Sequence, residues 1–316
     1  MLSRKEKIAI IGAGNVGEAV GYTLMLKKQA SDIVFIDLDE KRAEGSALDI
    51  AHATTFAGQA EVRRGGYDEC ADADIIVITA GARRKPGQTR LDLAKTNVSI
   101  ITGITKSIME YATNPIIIVV SNPVDLNTYV VQKVSGLPAN QVIGTGTTLD
   151  TARFRSMIAE QCGVDVNDVM AFILGEHGDS QCAIWSNVTI AGEDIKSFLA
   201  ANPEIGELDY DEITAKTRDA GAVVIANKGA TVFGIAMSTT KIIEAIRGND
   251  KTIMPVSHVI QDEFKGVKDL AISVPCMLDR TGICKVLDYS MNDQELAAFK
   301  ASADTLRKFV DDTLAQ

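Results

Sequence analysis

Cationic residues are in short supply. Across 316 residues, 32 Lys and Arg face 42 Asp and Glu, for a formal net charge of −10. That balance argues against a nucleic acid or an anionic membrane as partner. Histidine is rarer, with three residues, His52, His177 and His258, too dispersed for a metal cluster. The five cysteines (Cys70, Cys162, Cys182, Cys276, Cys284) are odd in number and form no CxxC pair. Buried reduced thiols are expected, in place of a disulfide framework or zinc site. Long apolar runs are missing as well. Residues 116–120 and 169–174 fall far short of the ~20 needed to span a bilayer. Residues 1–7 are charged and lack the apolar stretch of a signal peptide. There is no low-complexity segment or short repeat. A cytoplasmic protein is expected, and 46% apolar content over this length supports two domains.

What the chain does have is concentrated near its start. Residues 7–11 (KIAII) form an apolar run with β-branched bias, followed at once by Gly12-Ala13-Gly14-Asn15-Val16-Gly17 and then by helical spacing of apolar residues. A diphosphate resting on a helix N-terminus needs bare backbone. Glycines at the first, third and sixth positions provide the tight turn, the close approach and the packing of helix on strand. A second run, residues 33–36, ends at Asp37, 20 residues after Gly17. A carboxylate there accepts hydrogen bonds from a ribose diol. The combination predicts dinucleotide binding, the plainer alternative being a strained turn without ligand. The acid would repel a 2′-phosphate, so NAD is expected over NADP.

The first half continues with strand patterns at 75–79, 116–120 and 142–143 and helical patterns at 42–52 and 91–111. This alternation predicts an α/β fold with a doubly wound parallel sheet, ligands lying at the carboxyl ends of its strands. The character changes near residue 144. Beyond it come a helix from Leu149, the apolar run 169–174, and helices near 213–226 and 229–246. Strand-like 253–260 and 271–276 and a last helix through Leu314 complete the chain. The expected domains are therefore 1–144, binding dinucleotide, and 145–316, an α+β substrate domain, with the active site in the cleft between them.

Four stretches carry candidate chemistry. Residues 81–90 contain Arg83, Arg84, Lys85 and Arg90 without an acid, directly after a strand. Gly81 and Gly87 could let this loop hinge as a lid, the alternative being a solvated basic loop. Asn122 follows strand 116–120 just before Pro123, facing the crevice or serving as a turn residue. Asp150 and Arg153 share one face at the start of a helix, as an N-cap with an ion pair or as a binding pair. Gly175-Glu176-His177-Gly178-Asp179 closes the run 169–174. A histidine between glycines at a strand end can exchange protons near neutral pH, and an acid on its other nitrogen would orient it. His52 and His258 read as structural positions.

Taken together, IIGAGNVG, FIDLDE, ITAGARRKPGQTRLDL, VVSNPVD, GTGTTLDTARFR, GEHGDSQ and NKGATVFGIA resemble the L-lactate/L-malate dehydrogenase family along essentially the whole chain. The resemblance implies a Rossmann domain followed by a catalytic domain, with NAD as cofactor and a small 2-keto or 2-hydroxy acid as substrate. It also implies a homo-oligomer, dimer or tetramer. His177 would exchange the proton and Asp150 would orient it. Arg90 would polarise the carbonyl. Arg153 would clamp the substrate carboxylate, and Asn122 and Thr231 would line the pocket. Gly12, Gly14, Asn15, Val16, Gly17, Asp37, Thr79, Ala80, Gly81, Asn97, Val120 and Asn122 would surround the cofactor. A dinucleotide sensor that lost its chemistry is the alternative of a different class.

Arg84 takes the loop position that meets the substrate's variable end, where lactate-type members usually carry glutamine and malate-type members arginine. Burying it against a methyl group would strand a charge at a cost on the order of several kcal/mol, a preference of roughly hundreds- to thousands-fold. Oxaloacetate supplies a second carboxylate. The expected reaction is therefore (S)-malate + NAD+ to oxaloacetate + NADH, with pyruvate/L-lactate as the alternative. The latter is favoured by GTGTTLDTARF, GEHGDSQ and the stretch around Thr231, which look like bacterial lactate dehydrogenases. Fructose 1,6-bisphosphate is expected to activate weakly or not at all, since Arg155 matches one anion ligand of activated members but Met170 replaces the histidine.

Overall fold

The computed structural model describes residues 6–58, 60–82, 87 and 89–315. Strand β1 (Lys7–Ile11) is buried along its length and runs into helix α1 (Asn15–Leu26). β2 (Asp32–Ile36), α2 (Glu40–Ala57), β3 (Glu61–Arg64) and β4 (Ile75–Ile78) follow. Then come α3 (Arg90–Met109), β5 (Ile116–Val119), α4 (Val124–Ser135) and β6 (Val142–Gly144). These six strands pair in parallel in the order β6-β5-β4-β1-β2-β3. Strands covered by helices on both faces read as continuous apolar runs, which is why 33–36, 75–78 and 116–119 are legible in sequence. The polar edge strand β3, with Val62 its one buried residue, is not.

The second half starts with α5 (Thr148–Cys162) and passes through short strands β7 (Val169–Met170), β8 (Ile173–Leu174), β9 (Cys182–Ala183), β10 (Thr189–Ile190) and β11 (Glu193–Asp194). Helices α6 (Ile195–Ala201), α7 (Tyr210–Lys228) and α8 (Phe233–Gly248) come next. The apolar run 169–174 is thus two strands in two small sheets rather than one element. A long antiparallel set, β12 (Thr252–Ile260), β13 (Leu270–Asp279) and β14 (Gly282–Val286), precedes the last helix α9 (Asp293–Leu314). β12 docks antiparallel on β6 through Ser257 and Gly144, so the large sheet has nine strands and runs across residue 144. One core cluster accordingly joins β1 to β13, while a second packs Phe154, Ile158, Val169 and Ile190 under α5 and α7.

The foot of the sheet is charged. Lys7 is buried against Glu69 and Asp72, each at 2.5 Å, and Arg63 joins Glu69 and Asp32. Four cysteines are buried as expected, whereas Cys284 is exposed on β14 next to the exposed Lys285. His258 is buried beside Glu263, but His52 sits on the exposed face of α2. Among the described residues no helix is long and apolar enough to cross a membrane.

Candidate active site

The turn after β1 is shaped by its glycines. Gly12 has φ +110°, and a Cβ there would lie 2.8 Å from the Ala80 nitrogen. A Cβ on Gly17 would meet the Gly12 oxygen at 1.9 Å, so α1 can approach the turn only with a bare residue. Gly14 differs: a Cβ there would touch nothing within 4 Å. It also caps α1 without a side-chain hydrogen bond, leaving first-turn amides open. Open space and free amides at a helix start fit a diphosphate.

Neighbouring polar groups hold this turn. The Thr79 hydroxyl donates to the Gly12 oxygen (2.9 Å), and Asp37 accepts from the amides of Ala13 (2.7 Å) and Asp39 (2.9 Å). Arg42, which sequence reasoning missed, donates to the Ala13 oxygen (2.7 Å) and to Asn15 (3.3 Å). Its only signal is being the third residue of α2. Asn97 is buried and supports the crevice from below, its amide accepting from Ala82 (2.7 Å) and donating to the Asn122 oxygen (2.9 Å). Asn122 is exposed, and its Oδ1 accepts from the Val124 amide. Ala80 and Gly81 continue from β4 and Val120 from β5, at the carboxyl ends of the sheet. Arg84 lies outside the described residues.

The second half brings its chemistry to the same end. Asp150 and Arg153 lie in the first two turns of α5, and Arg153 donates to Asp150 Oδ1 at 2.9 Å. Gly221 on α7 has no side chain where the Arg153 guanidinium passes, its Cβ position being 3.7 Å from Nη1. His177 Nδ1 is 2.6 Å from Asp150 Oδ2, and 28% of the histidine side chain remains exposed. Burial would lower the imidazole pKa, but the charge and hydrogen bond of Asp150 raise it above the ordinary value. Burial likewise opposes the Asp150 charge, yet His177 and Arg153 hold its pKa below the usual carboxylate range. Thr231, half-buried, joins α7 to α8.

Arg90 is engaged by acids rather than by the Asp150–His177 pair. It donates to Glu176 Oε1 at 2.7 Å, lies 3.8 Å from Asp179, and stacks over Phe309 of α9 at 5.1 Å. Glu176, itself buried, also accepts from Ser180 (2.5 Å). Arg155 turns inward, donating to the Ala171 oxygen (2.9 Å) above the Phe172 ring, while Met170 is half exposed. Two acids beside His177 escaped the sequence reading. Glu176 lies within the singled-out GEHGD stretch. Asp125 is an ordinary first-turn acid of α4 whose contact with His177 spans 52 residues.

Comparison with known proteins matches residues 6–144 to the family described as "lactate/malate dehydrogenase, NAD binding domain". Residues 147–316 match its "alpha/beta C-terminal domain". An L-lactate dehydrogenase of Acetivibrio thermocellus is 40% identical over 306 residues, 96% of each chain. One from Kosmotoga olearia is 42% identical, over 98% of this chain and 96% of the relative. Among solved structures, the minor L-lactate dehydrogenase of Enterococcus mundtii in its ligands-bound form superposes with TM-score 0.95 at 40% identity, over 99% of each chain.

Proposed function

The chain belongs to the lactate/malate dehydrogenase family and is an NAD-dependent dehydrogenase, and from that premise we propose that it interconverts pyruvate and L-lactate. The observation carrying the chemistry is the contact of His177 with Asp150 and of Asp150 with Arg153. The choice of lactate is supported by the relatives at 40% and 42% identity, which are L-lactate dehydrogenases.

NADH, when bound, supplies the hydride that reduces the keto carbon. The Gly12–Gly17 turn and Asp37 would hold it. Asp150 engages His177 Nδ1, so a charged His177 donates its proton from Nε2 to the carbonyl oxygen, and the neutral ring takes it back in the reverse direction. Arg153 keeps N–H groups beyond the one on Asp150, and these pair with the substrate carboxylate. Arg90 must leave Glu176 to stabilise the alkoxide that forms.

A second reading, malate, rests on Arg84, whose charge would match the second carboxylate of oxaloacetate. It would also bring back a place in the tricarboxylic acid cycle, which the lactate reading does not call for. The discriminating experiment compares kcat/KM for pyruvate and oxaloacetate with NADH, in the wild type and in Arg84→Gln. A wild-type preference for pyruvate supports lactate. A preference for oxaloacetate that Arg84→Gln reverses replaces it with malate. A homo-oligomer fits the apolar residues exposed on α2 and α7, Leu48, Phe56, Val223 and Ile225. Sedimentation that finds only a monomer would remove that part of the reading. The inward engagement of Arg155 agrees with little or no activation by fructose 1,6-bisphosphate, and an unchanged apparent KM with that sugar phosphate is expected.

A further inference from the structure

Asp125, the second residue of α4, is almost wholly buried. Its Oδ2 accepts the backbone N–H of His177 at 2.8 Å. Its Oδ1 is buried without a hydrogen bond of ordinary geometry, the Ser257 hydroxyl of β12 being its polar neighbour. Space here is tight. A Cβ on Gly144, at the end of β6, would come within 2.8 Å of the Ser257 Cβ and 2.2 Å of the Thr128 hydroxyl oxygen. Three elements therefore converge on one carboxylate that, among the described residues, has no cation of its own. Arg153 is engaged by Asp150 and Arg90 by Glu176.

We infer that Asp125 is a positioning residue for His177, holding it through its backbone amide while Asp150 holds its ring, and adding a second negative charge that favours the imidazolium. The inference rests on His177 being the proton donor proposed above. Satisfying one amide does not require an acid, because a neutral Asn or Ser would accept the same hydrogen bond. Burying a carboxylate without a cation is costly, and an imidazolium nearby offsets that cost. Burial raises the Asp125 carboxyl to about 6, against the pull of Ser257 and the His177 amide. Asp125 is thus ionised above that pH, where its charge reaches a histidine also faced by Asp150 and Arg153. Glu176, adjoining in sequence, raises Asp125 further.

The test uses Asp125→Asn and Asp125→Ala, with the His177 ring followed by NMR titration and assigned by its absence in His177→Asn. In Asp125→Asn the hydrogen bond can persist while the charge is gone. The His177 pKa should then fall by about one pH unit. Turnover in the reduction direction above that pKa should fall by about tenfold. Asp125→Ala also strands the amide and should lose more, chiefly in kcat, with the Kd for NADH within about twofold of wild type. Asparagine should rescue part of the alanine loss. A His177 titration in Asp125→Asn that superimposes on wild type overturns the charge, and equal kcat in both variants overturns the positioning. The titration needs no turnover. It therefore reads the inference even if Asp125→Ala does not fold, or if neither keto acid is reduced, which would be a failure of the functional reading instead.

Discussion

Asp150 divides its carboxylate between two partners, Oδ1 to Arg153 and Oδ2 to His177. Each partner stabilises its charge, and the same attraction raises the pKa of His177. The consequence for pH has a definite sign. In the role proposed for His177, keto-acid reduction needs the protonated ring, so its rate should hold at low pH and fall as pH rises through the raised imidazole pKa. Oxidation needs the neutral ring and should rise through the same pH. Asp150→Asn should move both limbs to lower pH and reduce kcat by about a hundredfold. Profiles of kcat/KM in both directions check this, and limbs left in place by Asp150→Asn would remove the pair from the chemistry. Much at this scale was legible because Asp150, Arg153 and His177 lie in compact motifs. Asp125 also closes a compact motif, VVSNPVD, but its contact was not legible, since no local pattern tells that a first-turn acid reaches a residue 52 positions away.

The strand–turn–helix unit of β1 and α1 separates two glycine roles that a motif alone merges. Gly17 is needed by the protein, because any side chain there collides with the Gly12 oxygen. Gly14 is not, as its Cβ position is open and its φ of −79° suits any residue. Gly17→Ala should therefore lower Tm by several degrees and weaken NADH binding with it. Gly14→Ala should leave Tm nearly unchanged and still raise the Kd for NADH by about tenfold or more, because the methyl takes space meant for the diphosphate. Calorimetry and NADH fluorescence titration read the two quantities separately. Equal effects from the two variants would refute the division. The unit itself was readable from sequence since apolar run, turn and helical spacing are all local signals. The 169–174 run was not: an apolar hexapeptide does not say that Met170 and Ile173 pair with different partners, Thr189 and Ala183.

Across the whole molecule the nine-stranded sheet is the common frame. Its extension by β12, β13 and β14 depends on a single register contact between Ser257 and Gly144, a long-range fact that composition and periodicity do not encode. The ion cluster at the foot of this sheet ties β1, β2 and β3 to the segment before β4. Arg63, then Lys7, holds the Glu69 carboxyl at about 2 despite partial burial. A carboxylate whose pKa is depressed on folding contributes stability above its unfolded value, and loses it as pH falls toward the folded one. Glu69→Gln should cost about 2 kcal/mol at neutral pH, after allowance for the exposed portions of the pair, and almost nothing near pH 2. Urea unfolding at both values checks this. An equal cost at both would assign the loss to packing rather than charge.

In the role proposed for Arg90, its ion pair with Glu176 gives the protein a resident rival for its own substrate. A guanidinium that is to meet a developing oxyanion already holds a carboxylate at 2.7 Å. Being tethered, that carboxylate acts at an effective concentration in the millimolar range or above, and the substrate competes against it at every encounter. Apparent affinity is then the intrinsic affinity multiplied by the fraction of molecules in which Arg90 is free. Glu176→Gln weakens the rival without touching the substrate's own contacts. The keto-acid KM should drop by a few fold, and added salt, which loosens the half-exposed Arg90, should narrow the gap between variant and wild type. A KM that stays the same or rises in the variant would show that Glu176 does not compete for Arg90.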